Sequence, residues 1–241
     1  MTQTSRIRLG DQEIPYALRR STRRTIGFVV NRDGLAVTAP QRLGVRDIEA
    51  ALQEKSHWIL SKLAAWAERP QQRELAYVTG ETLPWLGGEL KLQVEPRGIR
   101  TTLRREGDRV LVTVDPEARG ELRRRAIASA LMRHYKREGE HFMRPRVEAF
   151  AARLDRPVRK VVVRDQKRRW GSCAPDGTIR LNWRLMGFPE ILVDYVCAHE
   201  AAHLVEPNHS PAFWSTVERV MPDWRMHRDE MRRVADMWTW V

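Results

Sequence analysis

His199, Glu200 and His203, with His209 six residues further on, are the side chains whose types and spacing most directly imply chemistry. On a helix, residues four apart lie on one face, one turn apart. His199 and His203 can therefore aim two imidazoles at one point, and neutral imidazole is a preferred ligand of Zn²⁺. Glu200 follows the first of them directly. It can sit beside such an ion without binding it and take a proton from water activated there. His209 is placed to be a third protein ligand once the helix has ended. Three protein ligands leave a fourth position open, which separates a catalytic zinc site from a closed structural one. The spacing predicts one Zn²⁺ per chain on His199, His203 and His209, with Glu200 as general base.

Such a constellation needs a helix, and the local signals supply one. Ile191, Leu192, Tyr195, Val196, Ala198 and Ala202 give a broad apolar face to a helix over about residues 189–205. Pro189 suits its first turn and Pro207 a stop just past His203. Asn208 then allows the turn that folds His209 back. Upstream, the spacing of Leu122, Ile127, Leu131 and Tyr135 predicts one helix, and Val147, Phe150 and Leu154 predict a second after Pro145. Residues 158–164 and 178–185 read as strands, with Ile179, Leu181 and Trp183 facing one way. Short helices are expected after Pro211 and after Pro222.

The first half reads differently. Residues 6–40 alternate in short runs separated by turn signals at Gly10-Asp11 and Asn31 to Gly34, which predicts a β-meander. Residues 45–68 have the spacing of one helix. Residues 75–115 return to strands, with turns at Gly80, Gly87-Gly88 and Gly107-Asp108. Asp115-Pro116 closes this part. The expected organisation is a β-rich N-terminal region with one helix over 1–116 and a second domain over 117–241. No internal repeat is visible in the sequence.

The 241 residues can bury a sizeable core. With 42% hydrophobic and 31% charged residues, the composition is that of a globular protein in water. No apolar run approaches the roughly 18 residues of a membrane span. Met1 to Gly10 holds no apolar signal region, and two cysteines, Cys173 and Cys197, exclude a disulfide scaffold. A cytoplasmic protein with no membrane partner is expected. The net charge is +12, and residues 119–169 hold 17 Lys/Arg against 6 Asp/Glu, so nearly all the excess lies there. Such a field can attract nucleic acid, with Arg123, Arg124 and Arg125 as candidate contacts. It also fits a solvated helix face. Tyr135, Phe142 and Phe150 sit at apolar positions and read as core rather than as platforms for bases.

The block Arg169-Trp170-Gly171-Ser172-Cys173, then Ile179 to Trp183, Asp194 to Leu204 through the His-Glu-Ala-Ala-His run, Asn208-His209-Ser210 and Phe213-Trp214 is distinctive. It resembles the YgjP-like metallopeptidases, within the wider SprT-like and Wss1-like zincins. The resemblance runs over the chain and is strongest from about residue 158 to 225. It implies an α+β fold, a zincin-like metallopeptidase core in which a small twisted sheet packs on the active-site helix. It also implies ligands at His199, His203 and His209, catalysis by Glu200 and a substrate cleft along the sheet edge. An extended peptide would then add to the edge near Thr178–Arg184. One departure concerns the metzincins, which share the histidine spacing but place Gly three residues after the second His. Here that residue is Glu206, so the turn to His209 must differ.

Other residues are candidates for touching substrate or for supporting the metal ligands. Trp170 and Ser172 precede an expected turn and can line a cleft or simply pack. Tyr195, one turn before His199, can donate to an oxyanion or pack. Asn182 can hold substrate backbone or satisfy a turn. His227 is a candidate donor behind a ligand, and Met221 or Met226 for a methionine beneath the metal. Cys173 and Cys197 read as buried thiols, and His57, His134 and His141 as surface residues. Three functions are compatible with these features. The first is a zinc peptidase that cleaves peptides. The second is a related protease acting on DNA-bound proteins. The third is a non-catalytic nucleic-acid module with structural zinc, which Glu200 argues against.

Overall fold

The computed structural model describes residues 2–31, 33–67, 75–166 and 169–234. The chain divides into two compact units, Met1–Gln71 and Gln72–Val241.

The first unit holds strands β1 (Thr2–Leu9), β2 (Gln12–Ser21), β3 (Gly27–Asn31) and β4 (Gly34–Pro40), then helices α1 (Val45–Glu54) and α2 (Ser56–Ala67). Its sheet order is β1-β2-β4-β3, with β4 parallel to β2. It is therefore not the meander the alternation predicts. The β3–β4 hairpin turns back so that Leu35 and Val37 lie beside Tyr16 and Leu18, and all four are buried. Period-2 patterning fixes which face is apolar, not which strand is the neighbour. The single helix expected over 45–68 is two, interrupted at Lys55. Ile48, Leu52 and Ile59 complete a core confined to this unit.

The second unit opens with β5 (Thr82–Trp85), β6 (Gly88–Pro96), β7 (Thr102–Glu106) and β8 (Arg109–Val114), in the order β5-β6-β8-β7. Here too the inner pair, β6 and β8, is parallel and the outer pairs are antiparallel. The connection plan of the first sheet is thus used twice, although the sequence shows no repeat. These strands, grouped by the sequence with the N-terminal region, share a core with the helical segment C-terminal to them. Val110, Val112 and Val114 belong to one buried cluster with Ile127, Leu131 and Tyr135. The Tyr135 hydroxyl donates to the carbonyl of Pro84 at 2.7 Å. The division of the chain accordingly precedes β5 and does not fall near 116.

Helix α3 runs unbroken from Gly120 to Arg153 with Pro145 inside it, where the sequence predicted two helices. Proline in a helix interior costs about 3 kcal/mol or more. Met143, Val147 and Ala151 are buried on both sides of it, and that burial outweighs the break. In the same turn the Arg146 guanidinium donates to the carbonyl of Phe142 at 3.1 Å. His134, expected on the surface, is buried on this helix and stacks on Trp85.

The sheet that carries the site is small: β9 (Lys160–Arg164), β10 (Gly171–Cys173) and β11 (Thr178–Asn182), in the order β10-β11-β9. β11 is central, parallel to β9 and antiparallel to β10. It stops at Asn182, short of the expected Leu185, because the Asn182 side chain accepts from the Arg184 amide and a 3₁₀ turn follows over Trp183–Gly187. Helices α4 (Glu190–Ala202), α5 (Pro211–Val220) and α6 (Trp224–Val234) complete the unit. Arg146 on α3 reaches Glu190 at 3.0 Å and Asp194 at 2.9 Å, tying α3 to α4. The architecture is α+β, as expected, with a small sheet against α4. Among the described residues no helix is long and apolar enough to cross a membrane.

Candidate metal centre

Helix α4 is buried on nearly every side: Leu192, Val193, Tyr195, Val196, Cys197, Ala198, Ala201 and Ala202 are all covered. The alanines let neighbours approach closely, and His199 projects from the open side. The helix ends at Ala202, and His203 caps it in ordinary right-handed geometry. Its Nδ1 lies 3.0 Å from the carbonyl of Glu206. That bond places the proton on Nδ1 and leaves the Nε2 lone pair available, the usual way a ligand imidazole is oriented. Glu206 is not among the residues with positive φ, so this turn needs no glycine. Further on, the Ser210 amide donates to the carbonyl of Asn208 at 2.7 Å. That tight turn, centred on His209, points the third imidazole back. Ser210 then caps α5 by accepting from the Phe213 amide at 3.3 Å, with Pro211 in its first turn.

One ring nitrogen of each of His199, His203 and His209 lies within 4.8 Å of the others. His199 Nε2 and His209 Nε2 are 3.0 Å apart. Nitrogens bound tetrahedrally at 2.0–2.1 Å sit about 3.3 Å from one another. Aromatic rings hold the imidazoles: Phe213 stacks on His203 with centroids 4.4 Å apart, and Trp214 lies parallel to His209 at 5.8 Å. Burial, then the charges of His203 and His209, push His199 down to about 3. Burial also lowers His203. Both imidazoles are therefore neutral at physiological pH, the form that binds a metal. His199 Nδ1 and Glu200 Oε2 are buried without a hydrogen-bond partner. Three imidazole nitrogens beside a buried carboxyl group with an unpartnered Oε2 fit a divalent cation of zinc-like preference.

Glu200 is 5% exposed. Burial pushes its carboxyl up to about 8, opposed by the charge of Arg169. Gly171 on β10 sits against it, and a Cβ there would fall 2.5 Å from Glu200 Oε1. The Asn182 side chain donates to the carbonyls of Gln166 at 2.8 Å and Arg169 at 3.1 Å. Its amide is thus committed to the segment that leads into β10 and positions that segment rather than a substrate.

Two lobes of a cleft meet here, one of about 500 Å³ and one of about 420 Å³. Both are lined by Arg169, Gly171, His199, Glu200 and His209. The larger adds Trp170, Tyr195, Trp214, Arg228 and Met231, and the smaller adds Ser172 and Cys173. Trp170, Ser172 and Tyr195 therefore line the cleft. The edge strand beside the cleft is β10; Thr178–Asn182, expected at the edge, is the central strand.

Other candidates lie elsewhere. His227 Nε2 pairs with Asp223 at 2.9 Å on α6 and lines neither lobe. Met226 is 67% exposed, and Met221 is a core residue. Burial pushes the Cys197 thiol up and that of Cys173 up to about 11, so both are held as thiols. Arg124 and Arg125 both face Glu121, at 3.9 Å and 2.7 Å, and Arg124 lies over the Tyr77 ring. Arg123 shares that first turn of α3. Sequence reasoning missed Arg169, Arg228 and Met231 as cleft residues, and the steric role of Gly171. Only Gly171 had a signal, as the small member of the Trp-Gly-Ser-Cys run.

A family model described as "YgjP-like, metallopeptidase domain" matches residues 24–234. Among solved structures, the chain is similar to the crystal structure of the metallopeptidase zymogen of Pyrococcus abyssi abylysin. The two are 26% identical over 39% of this chain and 95% of that one, with a TM-score of 0.36. No curated protein matches the chain.

Proposed function

The chain belongs to the YgjP-like metallopeptidases, and from that premise we propose that it hydrolyses peptide bonds with one Zn²⁺ held by His199, His203 and His209 and with Glu200 as general base. The observation that carries this reading is the convergence of three imidazole nitrogens beside a buried carboxylate with an unpartnered Oε2.

Bound there, Zn²⁺ would polarise the scissile carbonyl and make water acidic enough to be activated near neutral pH. Glu200 takes the proton of the attacking water on Oε2 and returns it to the amide nitrogen as the C–N bond breaks. The hydroxyl ends on the carbonyl carbon and the proton on the leaving amine. Burial holds the Tyr195 phenol up at about 12, so it keeps its proton beside His199. It can donate to the carbonyl oxygen as charge develops there. β10, the edge strand, offers its backbone to an extended peptide.

The test is Glu200→Gln. The variant should keep its fold and bind zinc while turnover of a mixed peptide library falls on the order of 10²–10⁴-fold. Cleavage at near the wild-type rate would assign the base to another group.

A further inference from the structure

The two lobes of the cleft differ in charge. Among the described residues the smaller brings no charged carboxylate or guanidinium of its own; its Ser172, Cys173, Ala174, Pro175 and Pro207 are neutral, and Arg169 and Glu200 are shared. The larger adds Arg228 and Arg232, one turn apart on α6, and with Arg169 it is lined by three guanidinium groups from two separate segments. Among the described residues Glu200 is the one carboxylate lining it.

The arginines are held in different ways. Arg228 is stacked 4.9 Å from the Trp224 ring and 5.6 Å from the Trp214 ring, and its Nε donates to Asp229 at 3.2 Å. Its fork is thus fixed by packing before any ligand arrives. Arg232 approaches the same Asp229 at 3.7 Å but is 70% exposed. Arg169 has no ion-pair partner among the described residues. One acidic residue at the rim therefore answers two cations, while the charge of the third, Arg169, acts on the buried Glu200. Trp170, Trp214 and Met231 form apolar walls around them. Fixed guanidinium groups between aromatic walls recognise a carboxylate by paired hydrogen bonds.

We propose that the larger lobe binds a carboxylate of the substrate peptide, held by Arg169, Arg228 and Arg232 on one side of the scissile bond. The inference rests on the peptidase reading above. The carboxylate is either an Asp or Glu side chain or the free C-terminus, and in the second case the enzyme removes residues from the end of the chain. Arg228 and Arg232 line the larger lobe and not the smaller, so the preference applies at one side of the cleavage point and not the other.

Binding separates this inference from turnover. Three fluorescent peptides of one apolar framework are titrated into the zinc-loaded Glu200→Gln protein. One carries an internal Glu and an amidated end, one carries Gln and a free carboxylate, and one carries Gln and an amidated end. At least one carboxylate peptide should bind about tenfold more tightly than the neutral one, with the advantage shrinking as salt rises. Which of the two does so identifies the source of the carboxylate. Arg169→Gln and Arg232→Gln, added singly, should reduce the advantage several-fold, and Arg156→Gln beyond the far end of α3 should not. Equal binding of all three peptides, no binding of any, or a preference untouched by both variants would overturn the proposal. A failure of the peptidase reading looks different: the charge preference persists while the wild-type protein cleaves none of the three.

Discussion

Gly171 and Glu200 are fitted to each other. A Cβ at position 171 would stand 2.5 Å from Glu200 Oε1 and 2.6 Å from its Cγ. No rotation of a methyl relieves this, because Gly171 is pinned by pairing with Leu181 and Glu200 lies on a buried helix. Gly171→Ala should displace the carboxylate and lower turnover by about 100-fold or more, since misplacing a reacting group by an ångström has that scale of effect. Overpacking should also lower stability by about 1–3 kcal/mol. The histidines are untouched, so zinc stoichiometry should hold. Turnover near wild type would show that the carboxylate has room to move.

His209 is the exposed member of the three histidines. His209→Ala should leave the fold intact and weaken zinc binding by more than about 100-fold, since even groups that only orient a ligand are worth about 10–100-fold. Competition against a chromophoric chelator reads this directly. His227→Ala, which breaks the pair with Asp223 at a residue lining neither lobe, should not change the affinity. If the two variants behaved alike, the three-histidine assignment would be wrong.

Asn182 ties two carbonyls of the segment before β10 to the end of β11. Asn182→Ala should destabilise the protein by about 1–3 kcal/mol through the stranded carbonyls. Asn182→Asp should be worse, because it sets a carboxylate against the same two acceptors. Denaturant midpoints rank the pair, and the reverse order would mean that the segment is held elsewhere.

Asp165 begins the same segment. Burial raises its carboxyl, but the hydrogen bond and charge of Arg184, then the Trp183 indole and Lys136, hold it below the usual range. A lowered folded pKa contributes stability above the unfolded value of about 3.9, lost as pH falls through the folded one. Asp165→Asn should therefore cost under about 1 kcal/mol at pH 7, given its partial exposure, and almost nothing below about pH 3. Thermal unfolding across that range checks the sign. A deficit that persists undiminished in acid would mean the loss is one of packing.

The histidines and Glu200 were legible because helical spacing is a local property and the motif lies within one turn and its exit. The α+β class and α4 through α6 were legible for the same reason, with Pro189, Pro211 and Pro222 marking their starts. What was hidden depends on neighbours distant in sequence. β10 is three residues long and has no period to detect. Pro145 signals a break that the burial of Met143 and Val147 overrides. The parallel partners of β2 and β6 follow from chain reversal, which alternation does not encode. The Arg169, Arg228 and Arg232 cluster joins segments far apart in sequence and was masked by the larger charge excess of 119–169.

The repeated connection plan of the two four-stranded sheets bears on the order of assembly during synthesis. The first unit closes its own core with Ile59, so it can fold as a cooperative piece while most of the chain is still unmade. Among the described residues, every group of the candidate centre and its cleft lies between Arg169 and Arg232. A nascent chain therefore carries a finished N-terminal unit long before it carries the candidate centre.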